Sequence, residues 1–370
     1  MILISIQLKN FRSHKDTQLN FSNQLNYIIG GNGQGKTSVL EAIYYLCTTK
    51  SSVAKLDNEV VRFRENEFEI TGNFKELTEN TTRIFYSLQE NKKYCFQNGK
   101  QIPRSADIIG KYPVVLLAPA DHAITQGSPV ERRKFIDSVI SQASETYLNF
   151  LLDYNKTLRQ RSSLLFRIKE ERRRELFDEL DAWTSKLIYS GTEIIKHRIK
   201  FVEEFNAYIK SSYERIMGNA EFPEIKYSFL DECAGGDIEV FFKKQIEAKR
   251  EDELRRAANL CGPHRDDFVF FINSINLKNF GSQGQHKTFQ TALRFAQFFY
   301  LKERTGKTPI FLLDDVFGEL DKERSQKISE YLKNVGQAFI TLTDFTNFNF
   351  LKREDNDTLI YINNGQAAYA

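Results

Sequence analysis

The chain has 370 residues, of which 41% are hydrophobic and 27% charged, with a formal net charge of +3. Single cores stop growing at about 250–300 residues, so one large core and at least one subsidiary lobe are expected. No apolar run approaches the roughly 18–20 residues of a membrane span, and the mild basicity excludes recognition of nucleic acid by bulk charge alone, so any such surface must be local.

Residues 1–8 alternate Ile4, Ile6 and Leu8 with Ser5 and Gln7 and lack the marks of a signal peptide, so they read as a strand of a cytoplasmic protein. The next apolar run, Tyr27-Ile28-Ile29, leads into Gly30-Gly31-Asn32-Gly33-Gln34-Gly35-Lys36-Thr37, then Ser38 and an apolar helical stretch. This fits GxxxxGK[ST] in the strand, loop and helix order that a phosphate loop requires. Its glycines let backbone N–H groups curl around a triphosphate. Lys36 can reach the β and γ oxygens, and the Thr37 hydroxyl can hold Mg2+ at a helix N-terminus. Binding of ATP or GTP is therefore expected.

Beyond the loop, 68–74, 83–88 and 94–96 are β-prone, and Asn98-Gly99 signals a hairpin, so an antiparallel sheet is expected. An apolar run at 114–118 reads as a buried strand. From 131 to 217 the pattern turns helical, with apolar residues such as Leu148, Leu151, Leu152, Leu187, Ile188, Ile194 and Ile195 at helical spacing and a charged stretch at 169–175. This predicts a helical arm with a polar tip. The runs at 309–313 and 338–342, separated by a helical stretch at 322–334, are of the kind buried in parallel sheets. The four cysteines form no CxxC pair, and the five histidines have no metal-ligand spacing.

Phe311-Leu312-Leu313-Asp314-Asp315 is an apolar strand ending in two carboxylates. Asp314 would hold Mg2+ through water and Asp315 would orient the attacking water. Alone, the pair fits a solvated strand end equally well; with the phosphate loop it becomes the second half of a nucleotide site. About 280 residues separate the halves, far more than one βαβ unit consumes, so the core is split by an insertion. Such a split belongs to the ABC class of ATPases. Gly281-Ser282-Gln283-Gly284-Gln285 stands where that class has its signature, opening a helix with an apolar face. A plain glycine turn capping a helix is the alternative.

Beyond these motifs the chain resembles the RecF family of bacterial recombination ATPases related to SMC proteins. The resemblance lies in Lys9-Asn10-Phe11-Arg12-Ser13, the phosphate loop, Pro119-Ala120-Asp121, Gly127-Ser128-Pro129 and Glu131-Arg132-Arg133-Lys134-Phe135-Ile136-Asp137. It continues in Gly262-Pro263-His264-Arg265-Asp266-Asp267, the Ser282-Gln283-Gly284-Gln285 signature, and the stretch from Leu313 to Asp321. It implies an α/β fold: an ABC-type P-loop ATPase head with a split core, an antiparallel β subdomain and an inserted helical lobe.

The division expected is 1–130 for the N-terminal half of the head, 131–260 for the arm, and 261–370 for the C-terminal half with signature, Walker B and D-loop. The resemblance implies nucleotide contacts at residues 30–38, Mg2+ at Thr37 and Asp314, and catalysis at Asp315. It also implies γ-phosphate contact in trans from Ser282, Gln283, Gly284 and Gln285, and a D-loop at Glu319 and Asp321. Thr343-Asp344 stands where many transporter ABC proteins carry a histidine, which fits slow, regulatory hydrolysis. Arg12 is a possible nucleotide contact; the roles of His264 and Arg265 stay open.

The family further implies an ATP-dependent homodimer on DNA, cytoplasmic and nucleoid-associated, acting with RecO and RecR to load RecA at gaps and stalled forks. Arg159, Arg161, Arg172, Arg173 and Arg174 on the arm could contact DNA phosphates without sequence preference, although interleaved Glu170, Glu171 and Glu175 equally suit a salt-bridged, solvated arm. Two other classes compete. A transporter motor would need a membrane partner and a different signature, and an SMC-like structural head would need a longer heptad-patterned arm.

Overall fold

The computed structural model describes residues 1–171, 173, 175–218, 221–229, 236–319, 322–332, 334–344 and 356–369. The chain divides into two compact units, one of residues 1–121, 212–218 and 291–370, the other of residues 122–211 and 219–290.

The first unit opens with the hairpin β1 (Ile2–Phe11) and β2 (His14–Asn20), followed by β3 (Leu25–Ile29) and α1 (Lys36–Thr48). Then come β4 (Glu67–Lys75), β5 (Glu79–Ser87), β6 (Lys92–Gln97), the short β7 (Lys100–Gln101) and β8 (Val114–Leu117). The second unit holds α2 (His122–Gln126), α3 (Pro129–Ala143), α4 (Glu145–Glu171), most of α5 (Glu175–Met217), β9 (Pro223–Ser228), α6 (Ile238–Arg256), β10 (Asp267–Ile272), β11 (Ile275–Asn276), α7 (Leu277–Phe280) and the start of α8 (Gln283–Thr305). The chain re-enters the first unit for β12 (Ile310–Leu313), α9 (Lys322–Leu332), β13 (Ala338–Leu342), β14 (Thr358–Asn363) and β15 (Gln366–Tyr369).

Two sheets build the first unit. The antiparallel one runs β2-β1-β4-β5-β6-β7. Its β4 alternates cleanly, and the inward Phe68, Ile70 and Phe74 share a core with Leu40, Ile43 and Leu46 of α1. Gly72 lets α1 approach β4 closely, since a Cβ there would lie 2.5 Å from Leu46 Cδ1 and displace that side chain. The other sheet runs β15-β14-β3-β13-β12-β8, parallel except for β15. Every residue of β12 and β13 is buried, as expected of parallel strands covered on both faces. The α/β class with an antiparallel subdomain and a large helical insertion is thus the observed fold.

In the second unit, the end of α4 and the start of α5 share a small core in which Leu164, Leu165 and Ile168 pack with Leu176 and Leu180. Of the apolar positions read on the arm, Leu148, Leu187, Ile188, Ile194 and Ile195 are buried, but Leu152 is exposed. The expected boundaries at 130 and 260 differ from the compact units. Residues 261–290, read as part of the C-terminal half of the head, are bonded within the second unit. Arg132 forms a bidentate pair with Asp267, and Arg198 donates to the Pro263 carbonyl at 2.8 Å. Helical periodicity carries no sign of this division, because α8 runs on through it.

Candidate functional site

Because β3 lies between β13 and β14, the loop from Gly30 to Gly35 leaves the middle of the parallel sheet beside the carboxyl end of β13. Gly30 N–H donates to Leu342 O at 3.2 Å. Gly33 and Gly35 have φ of 76° and 109°, a region that favours glycine and lets the loop fold back over the start of α1. The loop, with Arg12, Ser13, Asp314, Asp315 and Thr341, lines an open cleft of about 350 Å³. Asn32 and Thr37 are exposed there, Gln34 and Ser38 half-buried.

Lys36 is buried, and its Nζ donates to the carbonyls of Gly30 at 2.6 Å and Gly31 at 2.9 Å. An ammonium has a third proton to offer a phosphate. Burial lowers the Lys36 pKa, while Asp315 and Asp314 pull it back up.

Opposite, Asp314 Oδ1 accepts from Thr37 Oγ1 at 3.0 Å and from Thr341 Oγ1 at 2.9 Å. Thr341 Oγ1 also accepts from the Asp315 N–H at 2.8 Å, and Asp315 sits at φ 49°. Burial raises Asp314 above the ordinary carboxylate range, with Asp315 adding to it and the two hydroxyls and Lys36 opposing. The Thr37 hydroxyl and the Asp314 carboxylate are hard oxygen donors at one point of the cleft, which fits Mg2+ that takes its remaining ligands from water and phosphate.

Arg12, at φ 53°, is held by Glu41 through a bidentate pair of 2.9 and 2.7 Å and donates to Glu59 O at 2.9 Å. It lines the cleft, with its charge already partnered. Sequence reasoning missed Thr341, Glu41 and the strand pair β14–β15. The one signal for Thr341 is a polar residue inside the otherwise apolar run of β13.

The signature residues Ser282, Gln283, Gly284 and Gln285 fall in the second unit. Ser282 and Gln285 form a reciprocal cap at the start of α8: Ser282 N–H donates to Gln285 Oε1 at 2.9 Å, and Gln285 N–H donates to Ser282 Oγ at 3.2 Å. Ser282 and Gln283 are exposed. Glu319 closes a short 3-10 turn, and Asp321 lies outside the described residues. Thr343 and Asp344 are exposed.

On the arm, Arg159 is exposed and Arg173 pairs with Glu171 and Glu175 at 3.5 and 3.8 Å. Arg172 and Arg174 lie outside the described residues. Arg161 is corrected: only 2% of it is exposed, and it donates to Glu253 and Asn259 at 2.6 Å each and to Thr184 at 2.9 Å, so burial and a full set of partners remove it from any DNA surface. His264 and Arg265 both bond Asn259 O, at 3.3 and 2.9 Å, which gives them a part in the packing of the second unit. Asp137 and Asp266 neutralise the buried Arg198 in the same unit.

The family described as RecF/RecN/SMC N terminal domain matches residues 2–366. A curated relative, DNA replication and repair protein RecF of Chloroherpeton thalassium, is 41% identical over 95% of this chain and 98% of its own length. The protein of that name from Agathobacter rectalis is 35% identical over 99% and 98%. A solved structure of the recombination mediator protein RecF-ATP in the RecFOR pathway superposes with a TM-score of 0.91 at 32% identity, covering 100% of this chain and 97% of that one. An Smc head domain from Pyrococcus furiosus, at 15% identity and a TM-score of 0.57, shares the fold.

Proposed function

The chain belongs to the RecF family of DNA replication and repair proteins, and from that membership we propose that it is an ATP-dependent recombination mediator that closes as a dimer on DNA and opens on hydrolysis. The observation that carries this reading is the bond from Thr37 to Asp314, which joins phosphate loop and acidic strand at one point of a cleft able to take a triphosphate.

The backbone N–H groups of residues 30–35 cradle the phosphates, and Lys36 holds the β and γ oxygens with the proton its carbonyl partners leave over. Thr37 and Asp314, the latter through water, are the residues that would hold Mg2+, whose role when bound is to neutralise charge on the phosphoryl oxygens. Asp315 orients the attacking water, its carboxylate steadied by the tie of its own N–H to Thr341. Ser282 and the Gly284 amide of a second copy, with Gln283 and Gln285 shaping that loop, cover the γ-phosphate at the start of a helix. Glu319 and Asp321 belong to the stretch that matches the family's D-loop, whose place is against the partner's site.

Since each nucleotide is cradled by one copy and covered by the other, nucleotide binding and dimerisation are linked, and DNA that favours the dimer tightens ATP. DNA is held through phosphates, with Arg159 and Arg173 the arm candidates among the described residues. RecO and RecR are the proposed partners in loading RecA at gaps.

Molar mass by light scattering tests the reading, with a slowly hydrolysed ATP analogue, Mg2+ and then gapped duplex. A monomer that becomes a dimer only with nucleotide, and then binds DNA, supports it. A nucleotide-bound monomer indifferent to DNA would overturn the trans role of Ser282.

A further inference from the structure

The turn between β14 and β15 is seated on the phosphate loop. Asn364 N–H donates to Gln34 Oε1 at 2.7 Å, and Gly365 N–H donates to Gln34 O at 3.1 Å. The fit leaves no room for a Cβ at Gly30, where it would lie 2.3 Å from Ile362 O, or at Gly365, where it would lie 2.6 Å from Ser13 O. Between loop and turn stands His14, fully buried. Its Nε2 is 3.1 Å from Gly35 O. Its Nδ1 is 3.2 Å from Gly365 O and 3.0 Å from Thr17 Oγ1, which in turn is 2.7 Å from Gly365 O.

The protons in this cluster can be counted. Carbonyl oxygens only accept. A neutral imidazole has one N–H and Thr17 one O–H, so two protons serve Gly35 O, Gly365 O and the bare ring nitrogen. With the ring proton on Nε2 toward Gly35 O, the Thr17 proton goes either to Nδ1 or to Gly365 O, and the other is left facing a lone pair. An imidazolium removes the conflict, because Nε2–H takes Gly35 O while Nδ1–H and Thr17 both serve Gly365 O.

We propose that His14 is a positioning residue of the nucleotide site, locking the phosphate loop to the C-terminal turn by taking up a proton when phosphates bind. The inference rests on the ATP reading above. Burial holds His14 below the ordinary histidine range, and the two carbonyls pull it back up. Phosphates cradled by the loop place negative charge next to Gly35 and favour the imidazolium.

The surrounding ionisable groups do not supply that charge. Arg12, on the turn before His14, is held by Glu41 of α1, and Lys36 faces the Gly30 and Gly31 carbonyls. Lys15 and Asp16 are exposed on β2, and Asn364, Gly365 and Gln366 of the C-terminal turn carry no charge. By reciprocity, nucleotide affinity rises as pH falls across the His14 titration, by up to about tenfold for each pKa unit gained on binding.

The test uses the full chain with Mg2+ and a slowly hydrolysed ATP analogue, titrated calorimetrically near neutral pH in buffers of different ionisation enthalpy. The histidine ring resonances are followed against pH with and without nucleotide. A net uptake of up to about one proton per site is expected, with the His14 resonances titrating at higher pH in the complex. The variant His14→Gln, which keeps a donor but cannot titrate, should bind without that uptake, and the difference from wild type cancels any proton released at Asp314. If the variant fails to fold, the wild-type His14 titration decides alone. Nucleotide binding with an unmoved His14, or uptake that persists in H14Q, overturns the inference and leaves the ATP reading standing. Absence of nucleotide binding overturns both.

Discussion

Thr37 Oγ1 donates to Asp314 Oδ1 across 3.0 Å, although 277 positions separate the two residues in the chain. Burial raises the Asp314 carboxyl above its usual range, with Asp315 pushing the same way. In the ligand-free protein the proton on Asp314 is therefore held more tightly than in the unfolded chain. That contribution to stability is present in acid and is lost as pH rises through the raised pKa. Mg2+ with nucleotide should show the opposite trend, losing affinity as pH falls through the same pKa, because only the carboxylate form accepts the ion. Calorimetric titrations from about pH 7 down to about pH 4 check this. In His14→Gln, where the opposing histidine titration is absent, an affinity constant over that range would take Asp314 out of the metal site.

The hydroxyl of Thr341 ties both carboxylate residues together, accepting from the Asp315 N–H and donating to Asp314. Thr341→Val keeps the shape and removes both bonds, leaving the part-buried Asp315 N–H and Asp314 carboxylate each short of one partner at a cost of about 1–2 kcal/mol. The expected result is a kcat lowered about tenfold or more with a nearly unchanged Kd for ATP, since the phosphate cradle is untouched. Asp315→Asn should bind ATP and stall in the dimer, with hydrolysis down by about 10²–10⁴-fold. Single-turnover hydrolysis separates chemistry from binding in both variants, and normal hydrolysis by the asparagine variant would reject Asp315 as the catalytic group.

Lys36→Met should abolish nucleotide binding while leaving the fold intact. Among the described residues, Nζ hydrogen-bonds only the Gly30 and Gly31 carbonyls of an accessible loop, where water can replace it, whereas its bond to phosphate is charge-assisted and has no substitute. A loss of about 100-fold or more in affinity is expected, read by fluorescence of a labelled nucleotide. Binding within a few-fold of wild type would mean that the loop amides alone carry the phosphates.

The parts of the site visible in the sequence are those encoded locally. The phosphate loop needs its glycines and Lys36 within eight residues, and the strand ending in Asp314 and Asp315 announces itself by a four-residue apolar run. Strands β4, β5 and β6 likewise follow from their β-prone residues and the Asn98-Gly99 turn. What escapes depends on pairing at long range. Nothing local to Gln34 signals its bonds to residues 364 and 365, and Glu41 reads as an ordinary helix surface residue until Arg12 is found beside it. Arg161 misleads because a charge on a helix of mixed composition is more often solvated than buried. Only the approach of Glu253 and Asn259, 92 and 98 positions away, makes its burial possible.

Arg161 therefore belongs to stability. Its pair with Glu253 is almost fully enclosed, so Arg161→Ala strands a buried carboxylate and should cost about 3–5 kcal/mol. Replacing both partners with hydrocarbon side chains, Arg161→Met with Glu253→Leu, should recover most of that loss. Urea titration followed by the fluorescence of Trp183, the single tryptophan of the chain, reads the second unit directly. An Arg161→Ala protein of wild-type stability with weakened DNA binding would return the residue to the DNA surface.

His264 gives the same unit an acid limit. Its Nε2 faces the Asn259 carbonyl, which can only accept, so the ring proton sits on Nε2 and Nδ1 accepts from the Tyr154 hydroxyl at 2.7 Å. Burial then pushes the His264 pKa from 6.5 down to about 4, helped by the charges of Arg265, Arg133 and Arg161, while the Asn259 carbonyl opposes. A depressed histidine pKa favours the folded form above the unfolded value and loses that advantage as pH falls from about 6.5 to about 4, by roughly 3 kcal/mol in total. The urea midpoint read by Trp183 should fall across this window in wild type. In His264→Gln, whose amide can also donate to Asn259 O but does not titrate, the starting stability should be lower and this part of the slope absent. A variant with the full wild-type pH slope would assign the acid sensitivity to other groups.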